Sequence, residues 1–190
     1  MPFLCSSVGI QELDVCDICY TPLEICDKVS KVFGYKWNTF RHDINKPLKK
    51  KYSVIINDAF LSRFERKESM LERIAEGLDE EGYYITTLKE GRANKGGEIE
   101  EELKNNFIEK AVNKYNMSSI VDLNIPIKKI ASEYVEKMSS YPVKDENEIE
   151  TLFNNGDLEL IHVEKAKVPG EYEPSEYFRI IAKKAKSHLH

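Results

Sequence analysis

Three positions carry the side chains that could hold a polar ligand. Asp17 follows the run Leu13-Asp14-Val15-Cys16, Asp43 closes the stretch 37–43, and Asn57-Asp58 follows Tyr52-Ser53-Val54-Ile55-Ile56. Each run reads as a strand, and in open α/β sheets ligands bind in the crevice at the carboxyl ends of strands. A carboxylate there accepts both hydroxyls of a ribose. A second takes an amino proton from an adenine, while apolar neighbours cover the ring. A single aspartate at a strand end more often caps a helix or makes a turn, but here three consecutive strands end this way.

Other chemistry-bearing patterns are weaker. Cys16-Asp17-Ile18-Cys19 is a CxxC, yet Cys5 and Cys26 stand singly, and His42, His162, His188 and His190 show no ligand spacing with them. A structural zinc site pairs two such knuckles, so no metal is expected and the cysteines read as small buried hydrophobes. The segment 91–97 (GRANKGG) has phosphate-loop glycine spacing but lacks the Lys-Ser/Thr that follows the second glycine. It reads as a hinge. There is no GxGxxG.

The elements that must position these residues alternate. A strand over 13–18 is followed by a helix opening at Thr21-Pro22, with Ile25, Cys26, Val29, Val32 and Phe33 on one stripe and Gly34 at its end. Strands follow at 37–43 and 52–56, with too few residues between them for a helix. The continuous apolar run at 52–56 suits a strand buried on both faces. Met70, Leu71, Ile74, Ala75 and Leu78 mark a helix, and Gly82 precedes a strand over 83–88. This is β-α-β-β-α-β, the pattern of an open α/β sheet. From Glu90 the period changes. Ile99, Leu103, Phe107, Ala111 and Tyr115 form one helical stripe, Ile127, Ile130, Ala131, Tyr134, Val135 and Met138 another, and Ile149, Leu152 and Phe153 a short third. The chain closes with strands 158–168 and 177–182 joined by a Pro- and Gly-containing turn, an antiparallel hairpin.

The chain has 190 residues, 41% apolar and 32% charged, with 28 Lys+Arg against 33 Asp+Glu and a formal net charge of −5. A strongly basic nucleic-acid binder is excluded by that balance. No run approaches the roughly 20 apolar residues of a membrane span. The first residues lack the features of a signal peptide, so the expected setting is a reduced cytoplasm.

Taken in order, these motifs resemble a class I S-adenosylmethionine-dependent methyltransferase. The residues 15–24 resemble that family's acidic second-strand motif and the helix after it. Arg41-His42-Asp43-Ile44 resembles the acidic motif after its third strand. The stretch 52–61 resembles its fourth strand and active-site turn. Leu78-Asp79-Glu80-Glu81-Gly82 with 83–87 resembles its "L-(K/D)-x-x-G" turn and fifth strand, and the hairpin resembles its sixth and seventh strands. The resemblance implies a Rossmann-like α/β three-layer sandwich, with a mixed, mostly parallel sheet, a C-terminal antiparallel hairpin and a helical insertion. That is one domain over 1–190: a cofactor-side part (1–89), an insertion or cap (90–156) and the hairpin (157–185). It implies S-adenosylmethionine as cofactor, with Asp17 on the ribose hydroxyls, Ile18 on the adenine, Asp43 on the adenine amino group and Ile44 in backbone contact beside it. Asn57, Asp58 and Phe60 would line the methionine end and the substrate. On position alone Asp58 and His42 are the candidates for a base.

The turn Asn57-Asp58-Ala59-Phe60 lacks the asparagine-proline-proline-aromatic signature of amino-methylating nucleic-acid enzymes. With the net negative charge, this favours a small-molecule acceptor, with no nucleic-acid or membrane partner. One departure is large. The family's glycine-rich loop begins about 20 residues before its ribose-binding acid, whereas 16 residues precede Asp17 and the stretch 1–9 holds one glycine. Two hypotheses follow: a methyltransferase whose first strand, loop and helix are lost or supplied elsewhere, or a non-catalytic remnant acting as a binding or assembly module. A nicotinamide-dependent oxidoreductase needs the same loop and does not predict the hairpin. Without the central strand two sheet edges are left unpaired, so the gap is expected to be filled either by residues 1–7 or by a partner chain, as in a homo-oligomer that covers the exposed edge.

Overall fold

The computed structural model describes residues 12–91, 139–168 and 175–185, together with Asn105, Glu109 and Glu133, which are helical. The two long stripes expected over 99–115 and 127–138, and the glycine-rich segment 92–97, lie outside the described residues. The chain divides into two compact units, Met1–Lys50 and Lys51–His190.

In the first unit, β1 (Asp14–Asp17) and β2 (Asn38–Arg41) pair in parallel, with Asp14 opposite Asn38 and Asp17 opposite Arg41. Between them runs α1 (Tyr20–Phe33). The helix opens one residue before Thr21, with Cys19 at the cap position. The Asp17 carboxylate accepts from the Cys19 amide at 2.7 Å and closes the turn that leads into the helix, while Thr21, the expected cap, lies inside its first turn. Pro22 lies in the first turn, where its missing N–H would have had no helical partner. Gly34 ends the helix in the left-handed conformation, φ +69°. Thr39 donates to the Asp27 carboxylate at 2.7 Å and ties the helix to β2. The apolar stripe of α1 is not buried: Leu23 is its one buried residue, and Val32 is 77% exposed.

No helix interrupts residues 42–51, as the sequence spacing requires. In the second unit β3 (Tyr52–Ile56), β4 (Leu78–Lys89), β5 (Leu158–Val168) and β6 (Ser175–Lys184) make a mixed sheet in the order β3-β4-β6-β5. The β3–β4 pair is parallel, and the β4–β6 and β5–β6 pairs are antiparallel. A 3₁₀ turn (Leu61–Arg63) and α2 (Lys67–Gly77) connect β3 to β4. β4 starts five residues earlier than the sequence suggests. Its pairing with β3 jumps from Leu78 to Tyr83, so Asp79–Gly82 bulge out as the expected turn. A Cβ on Gly82 would stand 3.0 Å from the carbonyl oxygens of Tyr52 and Asp79, which is why glycine occupies the point where the two strands meet.

α3 (Glu146–Asn155) is the short third helix of the sequence reading. Asp145 caps it by accepting from the Glu148 amide at 2.9 Å, and Glu148 reaches back to the Lys144 amide at 3.0 Å. Its Ile149, Leu152 and Phe153 are buried. They join Leu71, Ile74 and Leu78, Tyr84 and Leu88 of β4, and Phe178 and Ile180 of β6 in one core. The Phe153 and Tyr84 rings stack with centroids 6.2 Å apart.

Two burial expectations fail. Val54 and Ile56 of β3 are 43% and 37% exposed rather than buried on both faces. Among the described residues β3 has a neighbour on one side only. Cys16 and Cys19 are exposed, not buried: Cys16 lies on β1, which among the described residues is paired with β2 alone, and Cys19 in the turn after it.

Candidate functional site

The ends of β1 and β2 gather the first group of predicted residues. The His42 amide donates to the Asp17 carbonyl at 3.0 Å, carrying the parallel pairing one residue past the strands. Asp17, Ile18, Asp43 and Ile44 therefore stand at one end of one sheet. Asp17 is half-buried, and Ile18 is 53% exposed, its side chain open to a flat ligand. Asp43 Oδ1 accepts from the Asn45 backbone N–H at 3.0 Å and the Asn45 side-chain amide at 2.9 Å. The backbone bond above all holds its carboxyl below the ordinary aspartate value. Both aspartates thus shape their own turns through Oδ1. Arg41 was not singled out from sequence. It donates to the Ile18 carbonyl at 2.8 Å, and its guanidinium lies 4.9 Å from the Tyr20 ring centroid. This fixes the backbone between Asp17 and α1.

His42 has its Nε2 buried, with no hydrogen-bond partner among the described residues. Although Cys16 as a residue is exposed, partial desolvation of its thiol first, then the charges of Asp17 and Asp14, raise the thiol above its ordinary value. That is the reverse of what a reactive thiolate requires. Among the described residues no three His, Cys, Asp or Glu side chains cluster to hold a metal ion.

The second group stands at the end of β3, in the other unit. Asn57 keeps strand pairing, its amide donating to the Ile85 carbonyl at 3.1 Å. Its side chain is locked from β4. Asn57 Nδ2 donates to Tyr84 Oη at 2.8 Å, and Thr86 Oγ1 donates to Asn57 Oδ1 at 2.6 Å. Tyr84 and Thr86 are both buried, and burial pushes the phenol far above its ordinary value, so it remains a neutral hydroxyl. Asp58 is exposed, and its Oδ1 accepts from Thr87 Oγ1, which in turn accepts from the Ala59 amide at 2.9 Å. Phe60 is half-buried against Phe64, with ring centroids 4.8 Å apart.

Tyr84, Thr86 and Thr87 are missing from the sequence reading. The available signal was Thr86 itself: on a strand of alternating burial it shares the face of Tyr84 and Leu88, where a hydroxyl must find a partner. Ala59 bends the turn with φ +49°. A left-handed non-glycine residue costs on the order of 1 kcal/mol. Ala59→Gly is therefore expected to raise the unfolding free energy by about 0.5–1 kcal/mol in chemical denaturation. A loss of stability would show that the turn is unstrained.

No family model matches the sequence, and no curated protein matches it. Solved structures do. An S-adenosylmethionine-dependent methyltransferase from Methanosarcina mazei aligns over 93% of this chain and 83% of its own, with a TM-score of 0.61 at 12% identity. The chain has the class I methyltransferase fold. TehB from Haemophilus influenzae aligns over 95% of this chain and 52% of its own, with a TM-score of 0.58 at 13% identity. Magnesium protoporphyrin IX methyltransferase from Synechocystis PCC 6803, with bound S-adenosylhomocysteine, aligns over 90% and 64%, with a TM-score of 0.53 at 15% identity. At these identities the likeness is one of fold. It explains why the methyltransferase fold's parallel strands precede an antiparallel hairpin, and it leaves activity to be argued from the residues. No helix among the described residues is long and apolar enough to cross a membrane.

Proposed function

We propose that the chain binds S-adenosylmethionine and transfers its methyl group to a small-molecule acceptor. The observation that carries this reading is the placement of Asp17 and Asp43 at and just beyond the same end of two adjacent parallel strands, beside the exposed Ile18. Each carboxylate spends Oδ1 on its own turn, leaving Oδ2 for a ligand hydroxyl or amine. These residues fit the nucleoside end of the cofactor, with Asp17 accepting from the ribose, Asp43 from the adenine amino group, and Ile18 and Ile44 flanking the ring. For the methionine end and the acceptor, the candidates from the sequence are Asn57, Asp58 and Phe60. The cofactor supplies a methyl already activated on a sulfonium, so the protein has to align the acceptor in line and keep water out. Phe60 excludes water. Asn57, held rigid by Tyr84 and Thr86, orients a polar group, and Asp58 is the group able to take a proton where the acceptor must lose one.

Titration calorimetry of the full chain with S-adenosylmethionine and S-adenosylhomocysteine tests this. Asp17→Asn keeps a side-chain oxygen for the Cys19 amide but removes the charge that grips the ribose. It should weaken binding by about 10- to 100-fold, as expected for loss of a charged hydrogen bond of about 1.5–3 kcal/mol. An unmodified chain that binds neither compound overturns the proposal. It would instead support a second reading, a non-catalytic module of this fold with an incomplete cofactor site. That reading is favoured by one observation: the residues for the two ends of the cofactor belong to different compact units. The reduced cytoplasmic setting expected from the sequence is part of the proposal.

A further inference from the structure

The hydrogen bonds around Asn57 decide what its side chain can offer a ligand. Asn57 follows β3 at the carboxyl end of the parallel β3–β4 pair, the end at which such sheets meet their ligands. Thr86 Oγ1 stands 2.6 Å from one end of the Asn57 amide. That is the length of an O–H···O bond and is short for N–H···O, so the oxygen, Oδ1, is the atom turned toward Thr86. The Thr86 hydroxyl has a single proton, and its other acceptor, the Thr87 carbonyl, is farther away at 3.2 Å. Tyr84 Oη accepts from Asn57 Nδ2 at 2.8 Å and donates to Oδ1 at 3.1 Å. Burial keeps Tyr84 a neutral hydroxyl with a proton to give. A carbonyl oxygen has two lone pairs, and Thr86 and Tyr84 fill both. What Asn57 has to give a ligand is the second proton of Nδ2. It can donate and cannot accept.

We propose that the methyl acceptor is a hydroxyl, an alcohol or a phenol, and that Asn57 selects it over an amine. This rests on the methyl-transfer reading and deepens it by naming the acceptor's class. A hydroxyl oxygen has two lone pairs and one proton. One pair forms the new O–CH3 bond while the S–CH3 bond breaks and its electron pair stays on sulfur. The other pair accepts from Asn57 Nδ2, and the proton passes to the Asp58 carboxylate. An amine about to attack has one lone pair, and that pair must point at the methyl group. Its remaining substituents meet Asn57 as donor against donor. Oδ1 gives no relief, because its lone pairs are already taken, and an unmade bond of this kind is costly. A carboxylate has lone pairs to spare, but it brings a second negative charge toward the exposed Asp58.

Phenol and aniline, matched in shape, are the probes. Titrated into the full chain with S-adenosylhomocysteine present, phenol should move the Asn57 side-chain amide proton signals downfield, the sign of a new bond from Nδ2. It should also bind about 10- to 100-fold more tightly than aniline. Thr86→Val frees one Oδ1 lone pair at nearly constant volume and should remove most of that preference. Methyl transfer from S-adenosylmethionine should follow the same order, with a phenol-to-aniline rate ratio that falls about 10-fold or more in Thr86→Val. Comparing the ratio between the two chains cancels the intrinsic reactivity of the probes. If Thr86→Val fails to fold, Tyr84→Phe removes the other donor to Oδ1 in its place, and the titration of the unaltered chain decides by itself. Asn57 signals that stay put with phenol, equal binding of the two probes, or a ratio unchanged by Thr86→Val overturns the selection of a hydroxyl and leaves the cofactor reading standing. A chain that binds neither S-adenosylmethionine nor S-adenosylhomocysteine overturns both.

Discussion

Phe153→Ala is expected to cost about 3–5 kcal/mol of stability, the range for deleting a fully buried aromatic side chain. Phe153 is fully buried, and its ring stacks on Tyr84. Its loss opens a cavity under the middle of β4. α3 would lose its main anchor, and Tyr84, the residue that holds the Asn57 amide, would lose its packing partner. Urea unfolding should show the drop in midpoint with an unchanged slope, the signature of altered stability rather than altered compactness. A cost below about 1 kcal/mol would mean that α3 sits on the sheet without contributing to its core. The same substitution should loosen the Asn57 side chain, visible as averaging of its amide proton signals.

A second expected result is unequal stability within one chain. Among the described residues, all but one of the buried apolar side chains lie in Lys51–His190, and the exception is Leu23. A two-stranded sheet is marginal in water without further strands or a packed helix face, and the apolar stripe of α1 is largely exposed. Amides of β1, α1 and β2 should therefore exchange at least about 30-fold faster than those of β4 and β6, equivalent to about 2 kcal/mol less protection. Equal exchange would show that the first unit is stabilised as firmly as the second. Saturating S-adenosylmethionine should slow exchange in the first unit, where the proposed nucleoside contacts of Asp17 and Asp43 lie, because a ligand that binds the folded form stabilises what it touches.

The elements were legible where periodicity and punctuation agree. The bounds of β3 match the apolar run 52–56, Gly34 ends α1, and Ile149, Leu152 and Phe153 are the buried face of α3. Burial was less legible. Spacing shows which residues share a face, as Ile25, Val29 and Val32 do, but not whether anything covers it. For the same reason the apolar run of β3 was read as buried on both faces, whereas Val54 and Ile56 are partly exposed. At the site, Asp17 and Asp43 were visible because strand-end carboxylates are rare enough to notice. That each also shapes its own turn is the ordinary behaviour of a strand-end aspartate, and the Oδ1 bonds to Cys19 and Asn45 show it. Tyr84 and Thr86 went unseen because they reach Asn57 across nearly thirty positions of chain, a contact made by β3–β4 pairing rather than by local sequence.

The join between β4 and the segment leading to α3 bears on how such a protein can change over generations. Val143 donates to the Lys89 carbonyl at 2.9 Å and accepts from the Gly91 amide at 3.0 Å, so chain positions about fifty residues apart are clasped side by side. Closing a longer loop costs little, about 0.6 kcal/mol for each doubling of its length. By that closure entropy alone, a change in length between the two ends costs the sheet little. Under the proposed reading, that stretch can diversify toward new acceptors while β3, β4 and the Asn57 turn stay as they are.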